Sequence, residues 1–219
     1  MKKLLYLASK NLGKISEYQK LLSDINCQLA LQPDSINIIE TGKTFRENAV
    51  KKACEVSKKL NHYAIADDSG LCIEALNGSP GIYSSRYADN DKDRIKRVLS
   101  ELEGVHDRNA YFVANVCVAN PYGEIILDIE EKCFGTILLS ARGTNGFGYD
   151  PIFEEISSRL TFAEMSNDIK DNLSHRGKAI AKLIPEIKKI FPDYWINFSF
   201  AHDPCKPCGI LIGNSYIAS

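Results

Sequence analysis

Asp67 and Asp68 stand side by side, preceded by the short apolar run Tyr63-Ala64-Ile65-Ala66 and followed by Ser69-Gly70. A strand that runs into carboxylates presents oxygen ligands, and a hard cation such as Mg²⁺ takes oxygen ligands and shares itself with substrate phosphates. The same residue types favour turns, so alone the stretch predicts a turn as readily as a site. Glu40 is a second acid, distant in sequence, and it can meet Asp68 where loops leave one edge of a sheet. Ser9-Lys10-Asn11-Leu12-Gly13-Lys14 joins an apolar run to a helix-spaced one. A helix start there offers N–H groups and a favourable dipole to a phosphate, with Lys14 adding a point charge. Asn48 and Lys52 are four apart and share a helix face. Phe147-Gly148-Tyr149-Asp150 sets two aromatic rings and a carboxylate in a glycine-rich loop, a surface for stacking on and hydrogen-bonding to a flat base. Lys170 precedes His175 and Arg176, which fall in the first turn of the last helix. The helix dipole disfavours cations there, so the pair points to an anionic or acceptor-rich neighbour.

The elements that must position these groups follow from periodicity. Lys3 to Ala8 predicts a first strand. Ile15, Tyr18 and Leu22 recur at helical spacing after the polar turn, and Cys27 to Leu31 predicts a second strand. Pro33 to Gly42 is a loop carrying Glu40. Phe45, Ala49, Ala53, Val56 and Leu60 form one apolar stripe, predicting a helix from Thr44 to Leu60 with Thr44 and Glu47 as a capping box. A strand ends at Ala66, the acids turn the chain, and Leu71 to Leu76 is a short strand beyond. A helix spans Asp89 to Glu103. Tyr111 to Ala119 reads as a central strand, and Glu124 to Phe134 returns after a turn at Asn120-Pro121-Tyr122-Gly123. Thr144 to Pro151 is the glycine-rich loop. Asn172 caps a last helix whose stripe is Leu173, Ile180, Leu183, Ile184, Ile187 and Ile190.

A chain of 219 residues with 44% hydrophobic content fits one large domain or two small lobes. Its formal net charge of −1 argues against a general nucleic-acid or membrane-surface binder. No apolar run approaches the roughly 20 residues of a membrane helix. Leu4 to Ala8 is too short for a signal peptide and is broken at once by Ser9, Lys10 and Asn11. Seven cysteines, an odd number, suit reduced thiols in a cytoplasmic protein. Cys205 and Cys208 form a lone CxxC with only His202 nearby, short of the four ligands structural zinc takes.

Taken together and in order, Ser9-x-Asn11-x-Gly13-Lys14, Glu40-Thr41-Gly42, Phe45-x-Glu47-Asn48-Ala49 with Lys52-Ala53, Ala66-Asp67-Asp68-Ser69-Gly70, Pro80-Gly81 with Ser85-Arg86-Tyr87, Gly146 to Pro151 and Ser174-His175-Arg176-Gly177 closely resemble the inosine/xanthosine triphosphate pyrophosphatase family. These are house-cleaning enzymes for noncanonical purine nucleotides. The resemblance covers about residues 1–190. It implies an α/β fold of two lobes around a long mixed β-sheet flanked by helices, with the nucleotide in the cleft between lobes, and a homodimer. It implies Mg²⁺-dependent hydrolysis of a nucleoside triphosphate (ITP, dITP or XTP) to the monophosphate and pyrophosphate. By position, Ser9, Lys10, Asn11, Leu12, Gly13 and Lys14 match the phosphate-contacting turn, and Lys52 a second phosphate-side lysine. Glu40 and Asp68 match the metal-site acids, Asp68 also the proton acceptor, and Ser69 a substrate contact. Phe147, Gly148, Tyr149, Asp150, Lys170, His175 and Arg176 match the base-reading wall. A 6-oxo base would be welcomed by donors there and adenine's amino group refused. Guanine shares the 6-oxo group, so its 2-amino group must be what is rejected.

The resemblance implies a catalytic domain over residues 1–191 and leaves 192–219 as a C-terminal extension without a match. The residues alone leave open a nucleotide sensor without turnover, or a phosphatase of different bond specificity. An aspartyl-phosphate enzyme usually separates its two aspartates by one residue, whereas these are adjacent.

Overall fold

The computed structural model describes residues 3–192. Cys205, Cys208, His202 and the remainder of the C-terminal stretch from 193 onward lie outside the described residues.

β1 (Lys3–Leu7) buries Leu5 and Leu7 and lies between β2 (Cys27–Leu31) and β3 (Tyr63–Ile73), parallel to both. The crossovers are α1 (Leu12–Leu21) and α2 (Phe45–Leu60). From β3 onward the sheet is antiparallel. β4 (Asn109–Ala119) pairs with β3 along ten register positions, from Ala64↔Ala119 to Ile73↔Ala110. β5 (Ile125–Ile137) returns beside β4, and the short β6 (Phe153–Glu155) closes the edge. The order β2-β1-β3-β4-β5-β6 makes one mixed six-stranded sheet. α3 (Asp91–Glu101), α4 (Asn167–Leu173) and α5 (His175–Ile190) complete the described elements besides three short 3₁₀ turns.

Three apolar clusters divide the molecule. α1 and α5 pack on one face of the sheet through Ile15, Tyr18, Ile180, Leu183 and Ile187 against Leu5, Ile65 and Val116. α2 covers the opposite face through Ala49, Ala53 and Val56 against Ala64, Ala66 and Cys117. The third cluster surrounds the far end of β3 and β4: Leu71, Ile73 and Phe112 meet Val98 and Leu102 of the α3 segment, together with Phe153 and Phe162. Two lobes thus share β3 and β4, and residues 67–70 lie where one core gives way to the other.

That junction departs from the sequence expectation. Asp67-Asp68-Ser69-Gly70 is no turn: it is mid-strand, with Asp67 opposite Val116 and Asp68 opposite Asn115. Turn propensity loses because β4 satisfies the backbone here and cations satisfy the side chains. The predicted strand over Leu71 to Leu76 is the end of β3 followed by a 3₁₀ turn over Glu74–Leu76. The last helix begins two residues later than expected. Asn172 lies inside α4, and Ser174 caps α5 by accepting from Gly177 N. α4 and β6 are too short for periodicity to reveal. Thr44 caps α2 as expected, accepting from Glu47 N at 3.1 Å. The reciprocal bond of the box is displaced, since Glu47 accepts from Lys43 N.

Candidate active site

Successive side chains of a strand point to opposite faces, so Asp67 and Asp68 serve different helices. Asp67 faces α1 and α5. Its Oδ1 is 2.7 Å from Lys14 Nζ and its Oδ2 accepts from Arg176 Nε at 2.8 Å. Arg176 also donates through Nη2 to Ser69 Oγ at 2.8 Å, and through Nη1 to Glu17 on α1. Asp68 faces α2. Its Oδ2 accepts from Asn48 Nδ2 at 3.0 Å and its Oδ1 lies 3.3 Å from Lys52 Nζ. Lys52 Nζ is also 2.7 Å from Glu40 Oε1, while Arg86 Nη1 holds Glu40 Oε2 at 2.9 Å. Two acids 28 positions apart in the chain therefore converge on one ammonium.

A third group stands across the cleft. Lys170 Nζ lies 2.7 Å from both Asp150 Oδ2 and Glu17 Oε1. Asp150 also accepts from Phe147 N at 2.9 Å, which folds the glycine-rich loop onto itself. The Phe147 ring has Lys170 Nζ 4.9 Å from its centroid and Arg176 Cζ at 5.9 Å, within the range of attraction between a cation and an aromatic face. The ring rests against Gly13, where an added Cβ would stand 2.4 Å from its Cδ1. The glycine is required as room for Phe147.

Burial and charge together set protonation. Burial works against the Asp67 carboxylate, but Lys14, Arg176 and Lys52 outweigh it and hold the group well below the usual carboxylate range. Asp68 goes the other way: burial raises its pKa, only partly offset by Lys52 and Lys14. Burial lowers the pKa of Lys14, against the pull of Asp67. Burial also opposes charge on Lys52, yet Asp68 and Glu40 prevail and its pKa rises. His175 is held neutral by burial, then by Arg176 and Lys170, and stacks on Phe112 at 4.8 Å between ring centroids. The cations at the start of α5 thus need no external anion. One is uncharged, and the other is matched by Asp67 and Glu17.

The residues matched by position to the phosphate, metal and base sites border a single cavity of about 580 Å³: Ser9 through Lys14, Glu40, Lys52, Asp68, Ser69, Phe147 through Asp150, Lys170, His175 and Arg176; Asp67 and Asn48 do not line it. Their parts differ. Asn11 spends its side chain as the cap of α1, accepting from Lys14 N at 3.1 Å, so one of the N–H groups expected for a phosphate is used internally. Lys10 reaches the carbonyl of Asp34 at the rim, and Leu12 is exposed. Tyr149 is buried, its hydroxyl donating to Ser84 O at 2.8 Å. Ser9 Oγ accepts from Asn11 N at 3.2 Å.

Residues 5–186 match the Ham1 family. The chain belongs to the Ham1 family. Among similar Ham1 relatives, a protein of Prochlorococcus marinus subsp. pastoris named dITP/XTP pyrophosphatase is 67% identical over 191 residues, 87% of this chain and all of the relative. Proteins of the same name from a Synechococcus and a Synechocystis strain are each 50% identical, over 86% and 82% of this chain and 91% and 93% of their own. The solved Ham1 protein of Coxiella burnetii superposes with a TM-score of 0.78 at 39% identity, covering 85% of this chain and 99% of that one. The Staphylococcus aureus Ham1 protein gives 0.76 at 38%, covering 86% and 100%.

Sequence reasoning passed over three residues that this Ham1 site uses. Glu17 bridges Lys170 and Arg176, and its signal was the i, i+3 spacing from Lys14 on α1. Phe112 supplies the ring under His175 and was hidden in an apolar strand. Asp91, at the start of α3, accepts from Gly148 N at 2.7 Å, and nothing local in sequence links the two.

Proposed function

We propose that this chain hydrolyses noncanonical purine nucleoside triphosphates, ITP, dITP and XTP, to the monophosphate and pyrophosphate. The observation that carries the reading is the pairing, across one cavity, of an acid–lysine cluster (Glu40, Lys52, Asp68, with Lys14 beside it) and a loop wall built on Phe147. The first suits a polyphosphate and the second a flat base. The relatives named dITP/XTP pyrophosphatase support the same substrates.

In this reading the triphosphate lies toward Lys14, Lys52 and the start of α1, with the base toward Phe147, His175 and Arg176. A water attacks the α-phosphorus. Its proton passes to Asp68, whose burial-raised pKa makes it a better base than an exposed carboxylate. The bond from the α-phosphorus to the bridging oxygen breaks, and pyrophosphate leaves beside Lys14 and Lys52. Little covalent help is needed, since positioning and charge dominate phosphoryl transfer. Ser69, held by Arg176, is a substrate contact, and Ser9 to Leu12 edge the phosphate side.

Glu40 and Asp68 fit Mg²⁺. Both carboxylates already converge on a positive charge, the Lys52 ammonium. Lys14, Lys52, Arg86, Lys170 and Arg176 are all matched by acids within the protein, so a triphosphate brings negative charge that these paired cations do not offset alone. Among the described residues no group of three or more His, Cys, Asp and Glu could hold a metal. Two protein carboxylates plus substrate oxygens is the usual arrangement for Mg²⁺. When bound, the ion supplies neutralisation of phosphate oxygens and a lower pKa for coordinated water.

The proposal extends to a cytoplasmic homodimer without nucleic-acid or membrane partners, its catalytic domain ending near residue 191. Exposed apolar side chains such as Phe134, Leu139 and Ile156 support self-association, and free thiols at Cys72, Cys117 and Cys133 suit a reducing compartment. Among the described residues no helix is long and apolar enough to cross a membrane.

The test is a substrate panel with Mg²⁺, scoring pyrophosphate from ITP, dITP and XTP against ATP and GTP. Comparable turnover of ATP removes the selectivity, and orthophosphate as first product removes the bond assignment. Tight binding of ITP without turnover makes the protein a sensor instead.

A further inference from the structure

We propose that Asn48 is a positioning residue for the hydrolysis, tying the loop that carries Glu40 to the carboxylate of Asp68. The inference rests on the proposed pyrophosphatase reading and extends it to a side chain that does not border the cavity.

Asn48 lies in the first turn of α2 and is buried. An amide side chain offers one acceptor and two donors in fixed geometry, and here both kinds are used. Its Nδ2 donates to Asp68 Oδ2 at 3.0 Å, and its Oδ1 accepts from Gly42 N at 2.8 Å. Lys52, one turn further along the same helix, holds the other Asp68 oxygen and Glu40. Asn48 thus determines which Asp68 oxygen is engaged inside the protein and which is left to Lys52 and the cavity. It also fixes where the loop bearing Glu40 stands relative to β3.

Gly42 supports the reading independently. A Cβ there would come within 2.7 Å of both Asn48 Oδ1 and Glu47 Cβ, so the backbone approaches the amide as closely as only glycine permits. A side chain merely filling core space would require neither the two directed bonds nor that approach. An aspartate of the same shape could keep the Gly42 bond but would set an acceptor against Asp68 Oδ2.

The experiment compares wild type with Asn48→Asp, Asn48→Ala and Gly42→Ala, measuring kcat and KM for ITP, the melting temperature, and Mn²⁺ binding by electron paramagnetic resonance without nucleotide. Misplacing a reacting group by about 1 Å can cost about a hundredfold in rate. Folded Asn48→Asp is expected to lose kcat on that scale with KM little changed. Folded Asn48→Ala and Gly42→Ala are expected to lose kcat likewise and to bind Mn²⁺ more weakly. Wild-type kcat in a folded Asn48→Asp overturns the proposal, as does a KM that rises in step with the loss of rate. If neither Asn48 variant folds, Asn48 is a structural residue and the proposal fails. An inactive wild type instead sinks the pyrophosphatase reading itself, which separates the two failures.

Discussion

Asp67 and Asp68 are chemically identical and adjacent, yet one is held ionised and the other is pushed toward neutrality. The difference lies in what each face of β3 supplies. Lys14 and Arg176 both bond Asp67, while Asp68 has a neutral amide, a shared lysine and a nearby second carboxylate, Glu40. Asp68→Asn keeps the shape but cannot take a proton. Turnover of ITP should fall by about 10²–10⁴-fold, the usual worth of a general base, while a nonhydrolysable analogue still binds by calorimetry. Near-normal turnover would take Asp68 out of the chemistry. Asp67→Asn should act on stability instead, because it strips Lys14 of its carboxylate and Arg176 of one of two. Removing one partner of a buried ion pair costs about 3–5 kcal/mol, readable as a lower urea midpoint. A midpoint equal to wild type would show that Glu17 and Ser69 suffice.

Elements place these residues through caps and close approaches. α1 begins at the cleft because Asn11 caps it, and its second residue must be small because Phe147 lies on it. Gly13→Ala should gain about 0.5–1 kcal/mol of helix preference. Overpacking against the ring should cost about 1–3 kcal/mol and prevail. The combined Gly13→Ala/Phe147→Leu variant should then be less destabilised than the sum of its single changes, a coupling visible in a double-mutant cycle of melting data. Strict additivity would mean that the ring does not press on Gly13. At α5, Ser174 accepts from Gly177 N at 3.1 Å. Ser174→Ala should cost about 1 kcal/mol. An unchanged midpoint would remove the cap from the account of how His175 and Arg176 are oriented.

At the scale of the molecule, α5 belongs to one core while its first residue, His175, stacks on Phe112 of another. His175 is therefore buried between lobes, and its pKa lies well below 6.5. In the unfolded chain it takes a proton as pH falls through that ordinary value, and in the folded protein it does not. The unfolded state then binds more protons, so stability present above pH 6.5 is lost as pH falls toward the folded pKa. The slope from one such group reaches about 1.4 kcal/mol per pH unit. Denaturation midpoints measured from pH 7.5 to pH 5 should decline, and His175→Phe should flatten the decline. Equal slopes in both proteins would assign the acid sensitivity elsewhere. Asp67, also depressed, adds its own loss only at lower pH, below its ordinary 3.8.

Most elements and most residues bordering the proposed chemistry were legible in the chain, because periodic apolar stripes and cap residues are local signals; Phe112 and Asp91, which also line the cavity, were not. The Thr44 cap, the stripe of α2 and the register-long strand at Tyr111 to Ala119 needed nothing beyond their own neighbours. What local signals mistook was the acidic stretch. Its residues prefer a turn, and only a partner strand together with cations from three helices keeps it extended. Likewise the sequence placed cations at the start of α5 without their compensating acids, since Glu17 and Asp67 arrive from other elements. Residue types determined which chemistry was possible. Pairings between distant side chains, which cost loop-closure entropy and are set only by packing, decided which acid is free to take a proton and which is consumed in holding the lobes together.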